Sequence, residues 1–177
     1  MTPSTPQNLL VKRALLVLGI QLGSSAVLAQ TLDLTFEIPT LNVAEYHRPY
    51  VAVWVAREDQ SVAANLAVLY DLKLANNEGQ KWLKDLRQWW RRTGRALEMP
   101  VDGVAGATRI QGKHEMQFGD KAVSIPAGHY RLVVEVVREV GGRELLEIPF
   151  QWPPQAEQLL NAQGKEEIGS VTLALAP

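Results

Sequence analysis

Residues Thr31 to Ile38 alternate without a break: Leu32, Leu34, Phe36 and Ile38 are apolar, and Thr31, Asp33, Thr35 and Glu37 between them are polar. Successive side chains of an extended chain point to opposite faces, so this stretch makes a strand with one dry face and one wet face. The dry face needs a second apolar layer to cover it, which restricts the fold to packed sheets or a sheet under helices. Two more strands are predicted over Tyr50 to Ala56 and Leu66 to Leu74, joined by the polar turn Arg57-Glu58-Asp59-Gln60 and read as an antiparallel pair. The clearest hairpin runs from Tyr130 to Val137 and returns as Glu144 to Trp152. Between its arms, Gly141-Gly142 can take positive φ at both turn positions without a Cβ clash. A last strand is expected over Ser170 to Leu175, after a polar segment with helical leanings, Gln155 to Ala162. With Thr108 to Gln111 and Glu115 to Phe118, eight short strands result, which suits an all-β, Ig-like antiparallel β-sandwich.

One segment departs from period two. From Asn77 to Gly94 the apolar residues Trp82, Leu83, Leu86, Trp89 and Trp90 fall on a single helical face, predicting one inserted amphipathic α-helix. Asn77 and Gln80 have capping-box spacing, and Gly94 stands where the helix should stop. The three tryptophans are expected to face inward, with the helix closing the open end of the sandwich. Lys81, Lys84, Arg87, Arg91 and Arg92 lie on the opposite face, with Arg95 just beyond.

The first 29 residues have the marks of a cleavable leader. Lys12 and Arg13 precede an apolar run from Ala14 to Ile20, and Val27-Leu28-Ala29 offers a small-residue cleavage site before Gln30. The run is interrupted by Gln21 and Gly23-Ser24-Ser25, short of the ~20 residues needed to cross a bilayer. The expectation is a signal peptide over 1–29 and a single Ig-like periplasmic domain over 30–177, with no membrane span after cleavage. Cysteine is absent, which excludes disulfides, thiolate metal sites and thiol catalysis. The mature region carries 16 basic and 19 acidic side chains, so no general basic excess favours nucleic acid as a partner. The charge is unevenly placed: residues 81–95 have a net charge of +5 and the rest of the mature chain −8.

Catalytic motifs are sparse. His47, His114 and His129 share no ligand spacing, so no metal site is expected, and no nucleophile elbow accompanies Ser61, Ser124 or Ser170. The domain is therefore not expected to be an enzyme by itself. Pro126-Ala127-Gly128-His129-Tyr130 reads as a structural turn that aims a tyrosine into the core.

A different chemistry is suggested by Asp102-Gly103-Val104-Ala105-Gly106-Ala107-Thr108. The stretch resembles the acceptor motif of proteins to which a flavin transferase attaches FMN. That pattern reads Asp, Gly or another residue, any residue, Ser or Thr, Gly, Ala, then Thr or Ser. Ala105 stands where the pattern has a hydroxyl residue. The resemblance implies that Thr108 bears covalent FMN through a phosphoester, with Asp102, Gly106 and Ala107 forming the recognition loop. An accepting hydroxyl has to enter a partner enzyme's site, which calls for a small-residue, exposed loop. Arg109 and the basic helix face would screen the phosphodiester charge, and Trp89 or Trp90 would offer the flavin ring an aromatic bed.

Four motifs in order extend the resemblance: Tyr46-His47-Arg48-Pro49-Tyr50-Val51-Ala52-Val53-Trp54, Trp82 to Arg91, Asp102 to Arg109, and Pro126 to Tyr130. Together they are similar to a bacterial family of predicted periplasmic proteins, domain of unknown function 2271, over roughly Thr31 to Trp152. That resemblance implies export and company with flavin transferases and PepSY-type membrane proteins, hence a periplasmic electron-transfer module. The alternative expectation is a cofactor-free Ig-like binding module in which Trp82, Trp89 and Trp90 are core and the 102–108 loop is inert.

Overall fold

The structure is a computed structural model that describes residue 1, residues 30–122 and residues 124–177. The leader expected over 1–29 lies, apart from Met1, outside the described residues.

Among the described residues, nine strands form two sheets. They are β1 (Thr31–Ile38), β2 (Tyr50–Ala56), β3 (Val62–Tyr70), β4 (Ala105–Ala107), β5 (Gly112–Gln117), β6 (Gly128–Val137), β7 (Arg143–Trp152), β8 (Gln158–Gln163) and β9 (Ser170–Ala176). The four-stranded sheet has the order β5-β1-β9-β8 and the five-stranded sheet the order β4-β3-β2-β6-β7. Every pairing is antiparallel except the short parallel pair of β3 and β4. The main core lies between the sheets and takes Leu32, Leu34, Phe36 and Ile38 from β1, as the alternation of that strand requires.

β2 explains the third layer. Val51, Val53 and Val55 enter the inter-sheet core, whereas Ala52, Trp54 and Ala56 enter a second cluster with Leu83, Leu86 and Trp89. A strand with both faces covered has no wet side, hence the near-continuous apolar run of β2. The 75–96 segment therefore covers the outer face of the five-stranded sheet, instead of closing the open end of the sandwich.

That segment is also not one helix. A 3₁₀ stretch (Ala75–Asp85) leads to α1 (Arg87–Arg92) and a further 3₁₀ turn (Gly94–Ala96). Asn76 and Asn77 hold left-handed φ of 54° and 56°, which breaks the first turn and rules out the expected Asn77–Gln80 capping box. Gln80 instead donates to the Met99 carbonyl. Cap residue Leu86 offers no side-chain oxygen, so α1 receives its cap from the sheet. The carboxylate of Glu135 on β6 accepts the amides of Gln88 at 3.0 Å and Trp89 at 2.8 Å, and Arg143 on β7 closes the ion pair at 2.6 Å. Gly94 is fixed by contact, since a Cβ there would lie 2.4 Å from the Trp89 ring.

Three other expectations change. The hairpin turn places Val140, at φ 53°, in the left-handed region; neither Gly141 nor Gly142 has positive φ. Those glycines are needed for close approach, because a Cβ at Gly141 would lie 2.5 Å from the Arg138 guanidinium and one at Gly142 2.9 Å from the Glu167 carboxylate. The segment Gln155 to Ala162, expected to lean helical, instead enters β8, whose residues Gln158–Gln163 pair with β9 and alternate in burial. The strand expected over Thr108 to Gln111 is displaced to Ala105–Ala107.

Pro126 to Tyr130 behaves as read. The Tyr130 hydroxyl donates to the Pro126 carbonyl at 2.7 Å while its ring packs on Phe150.

Candidate functional site

β4 is short because few of its residues have anything to pair with, and its placement is governed by small side chains. Val68, Leu69 and Tyr70 of β3 lie opposite Ala105, Gly106 and Ala107, and Thr108 extends the ladder by donating its amide to the Tyr70 carbonyl at 3.2 Å. A Cβ on Gly106 would come within 2.8 Å of the Leu69 side chain, so glycine lets the two strands approach. The turn before β4 has Gly103 at φ 66°, a backbone shape that favours glycine. Lys121 from α2 (Gly119–Ala122) bridges that turn to β3, donating to the carbonyls of Leu66 and Gly103. Burial holds its ammonium below the ordinary lysine range.

Thr108 is half-buried where β4 ends, at the wall of a cleft of about 1030 Å³. The cleft runs between the 71–74 loop and 75–85 segment on one side and the β6–β7 turn on the other, with the 46–50 approach to β2 along it. Its wall mixes two chemistries. Leu72, Leu74, Trp82 and Val140 border it while 40%, 42%, 47% and 75% exposed, so much of their apolar surface faces solvent. Arg48, Lys73 and Arg87 border it too, and none of the three has an ion-pair partner among the described residues. Asp71, Asp85 and Glu139 supply the acidic side.

The cleft also has a buried ionic component. Arg138 grips Glu167 through Nε and Nη2, each at 3.0 Å, and Glu167 additionally accepts the Gly142 amide at 2.7 Å. Glu144 accepts four consecutive amides, Lys165 to Ile168, at 2.6 to 3.0 Å. Burial pushes the Glu144 carboxyl up, but the four backbone donors outweigh it and hold it below the usual 4.5. These carboxylates tie the β8–β9 loop to the β6–β7 hairpin that forms one cleft wall.

With this geometry in place, one comparison decides the family. The family described as "Predicted periplasmic protein (DUF2271)" matches residues 31–170. The chain belongs to DUF2271. No curated protein and no solved structure matches it. The DUF2271 match spans β1 to the start of β9, so it includes Thr108 and every residue that borders the cleft. The family description makes the protein periplasmic, as its leader-like N-terminus suggests. Among the described residues no helix is long and apolar enough to cross a membrane.

The site residues expected from the sequence are brought together only in part in this DUF2271 chain. Ala107 and Thr108 border the cleft; Asp102, Gly106 and Arg109 do not. Asp102 is exposed in the turn before β4 and Thr108 follows β4, so the two lie at opposite ends of the strand. Trp89 is fully buried, with its indole N–H donated to Asn65 at 2.9 Å, and Trp90 packs partly buried beside it. Trp82, expected to be core, is the tryptophan that faces the cleft. Sequence reading missed Arg48, Leu72, Lys73, Leu74 and Arg138 as cleft residues. Leu72-Lys73-Leu74 falls inside the strand expected over Leu66 to Leu74; β3 in fact ends at Tyr70, so the run lies beyond it at the cleft, and nothing in its local pattern marks that end. Of the histidines, His47 sits between Glu45 and Glu139, and His114 bonds to the Ile110 carbonyl.

Proposed function

We propose that this periplasmic domain is a covalent flavin carrier, with FMN held as a phosphoester on Thr108 and electrons passed to or from a membrane partner of the PepSY type. The observation that carries the reading is the position of Thr108: a half-buried hydroxyl residue at the open end of an edge strand, on the wall of a large cleft that also holds an exposed tryptophan and three cations with no ion-pair partner among the described residues. Ala107 before it is small and exposed, and the exposed Arg109 follows it. A transferase can therefore reach the hydroxyl without unpacking the sandwich.

The chain fits the group in three respects. Trp82 would provide the aromatic surface for the ring, in place of Trp89 and Trp90. Arg48, Lys73 and Arg87 would balance phosphodiester charge, a task for which the exposed Arg109 is less well placed. Asp102, away from the cleft, would act as a recognition point for the transferase. Attachment requires Thr108 Oγ1 to form a bond to the flavin-side phosphorus of a pyrophosphate-linked flavin such as flavin adenine dinucleotide. The pyrophosphate bond breaks, adenosine monophosphate leaves, and the hydroxyl proton passes to a base of the transferase. Bound flavin supplies redox chemistry that no side chain of a cysteine-free domain offers.

The cofactor-free binding module is favoured by one observation: Gly103 and Gly106 both have backbone or packing reasons to be glycine. Co-production with a flavin transferase separates the two readings. The exported chain should gain the mass of one FMN and visible flavin absorption, and Thr108→Ala should gain neither. A chain that stays unmodified while a known acceptor is loaded in the same cells refutes the carrier reading.

A further inference from the structure

The β6–β7 end of the cleft contains two buried polar atoms with no hydrogen-bond partner among the described residues. Arg138 has a side chain only 5% exposed and commits Nε and Nη2 to Glu167, which leaves Nη1 unsatisfied. The hydroxyl of Tyr46, whose ring lies 6.0 Å from the Arg138 guanidinium, is likewise buried and unsatisfied. Both residues border the cleft, as does Arg48 two positions along from Tyr46. A guanidinium has five N–H donors, and leaving a buried charged one unmet is costly, so native proteins supply a partner. Phenol and guanidinium can both donate, and the acceptor that best matches a cationic donor beside a phenol is an oxyanion.

Arg138 is held ready for such a partner. The backbone of the hairpin turn packs against its guanidinium, and Glu167 fixes the plane of the fork. Tyr46 lies in the irregular segment between β1 and β2, where no strand ladder resists a shift of the ring that would admit a ligand. The exposed apolar surfaces of Leu72, Leu74, Trp82 and Val140 border the same cleft and suit the remainder of a ligand.

The geometry points to a binding site for a small amphipathic anion: a phosphate or carboxylate seated on Tyr46, Arg48 and Arg138, with its apolar or aromatic body against Trp82 and the leucines. This site shares Arg48 and Trp82 with the flavin reading, so a bound flavin would compete for it, but it does not depend on modification of Thr108.

The test uses the chain exported in cells without a flavin transferase, titrated calorimetrically with inorganic phosphate, phenyl phosphate and benzoate. Phenyl phosphate or benzoate should bind more tightly than inorganic phosphate, and whichever is tighter assigns the head group. Tyr46→Phe combined with Arg48→Gln should weaken all probes about tenfold or more, the effect of losing a charge-assisted hydrogen bond. Arg48→Gln alone, an exposed change that leaves the Arg138–Glu167 pair intact, should weaken them in the same direction. Trp82→Ala should remove the preference for the ring while sparing inorganic phosphate. Arg91→Gln with Arg92→Gln, on the basic face away from the cleft, should change nothing. The inference is overturned if no probe binds at tens of millimolar, which would assign the two atoms to ordered water. It is equally overturned if only the Arg91/Arg92 change weakens binding. Neither outcome bears on whether a transferase loads Thr108.

Discussion

Replacing Glu135 with alanine tests how the helical layer is held on the sheet. The side chain is fully buried and accepts three hydrogen bonds, from the amides of Gln88 and Trp89 and from Arg143 Nε. Its loss leaves two amides at the start of α1 without acceptors, at about 1–3 kcal/mol each for buried donors. Arg143 loses its counter-charge as well, but its side chain is 32% exposed, so solvent recovers most of that interaction. The total is about 3–5 kcal/mol, in line with removing one partner of a buried ion pair. Against a total stability of about 5–15 kcal/mol this is a large share. Arg143→Ala should cost much less, about 1–2 kcal/mol, because Glu135 keeps both amides. Urea denaturation followed by tryptophan fluorescence gives both values, and hydrogen exchange at the Trp89 amide reports the cap directly. A loss under about 1 kcal/mol for Glu135→Ala, or a larger loss for Arg143→Ala, would show that the carboxylate does not anchor the layer.

Three further outcomes follow from the packing. Glu144→Gln should destabilise the protein near neutral pH, and the difference from the parent should shrink in acid. Because the folded carboxyl titrates below its ordinary 4.5, the unfolded chain takes up the proton first on acidification; the contribution is complete above about 4.5 and is lost as pH falls through the folded value, as pH-dependent urea titrations would measure. Trp89→Ala should cost about 3–5 kcal/mol, whereas Trp82→Ala, at a site 47% exposed, should cost under about 1 kcal/mol, so thermal melts of the pair separate the core tryptophan from the cleft tryptophan. Tyr130→Phe should cost about 1 kcal/mol through loss of the bond to Pro126, with the denaturant slope unchanged.

The layers were legible where burial is one-sided. β1 and β2 have the boundaries that alternation and apolar runs suggest, and β9 and the β6–β7 hairpin differ by a few residues at their ends. The 75–96 segment was misread because its period reports which residues are apolar, not which of them the sheet can reach: Leu83, Leu86 and Trp89 dock, and the kink at Asn76 and Asn77 leaves Trp82 outside. The Gly141-Gly142 pair suggested a turn for the wrong reason, since the constraint comes from the Arg138 side chain in the same hairpin and from Glu167, 25 residues away from Gly142. Long-range contacts of this kind leave no local pattern. The same holds for the cap of α1, whose acceptor is 46 residues away from the amide it serves. Of the candidate site, Thr108 was legible as a hydroxyl among small residues; the cleft around it was not, because its walls come from four separated stretches.

The clasp between the β6–β7 hairpin and the loop before β9 has a consequence for maturation. Arg138, Glu167 and Glu144 join the two sheets at one end by charge and backbone amides, in a chain with no cysteine. Such a seam closes as soon as its parts meet and needs no oxidant, so the exported polypeptide can reach its native form without thiol-disulfide enzymes and should be indifferent to reductants. Its point of weakness is acidity instead, since protonating Glu144 releases the loop amides it holds, where a reducing agent would have nothing to cut.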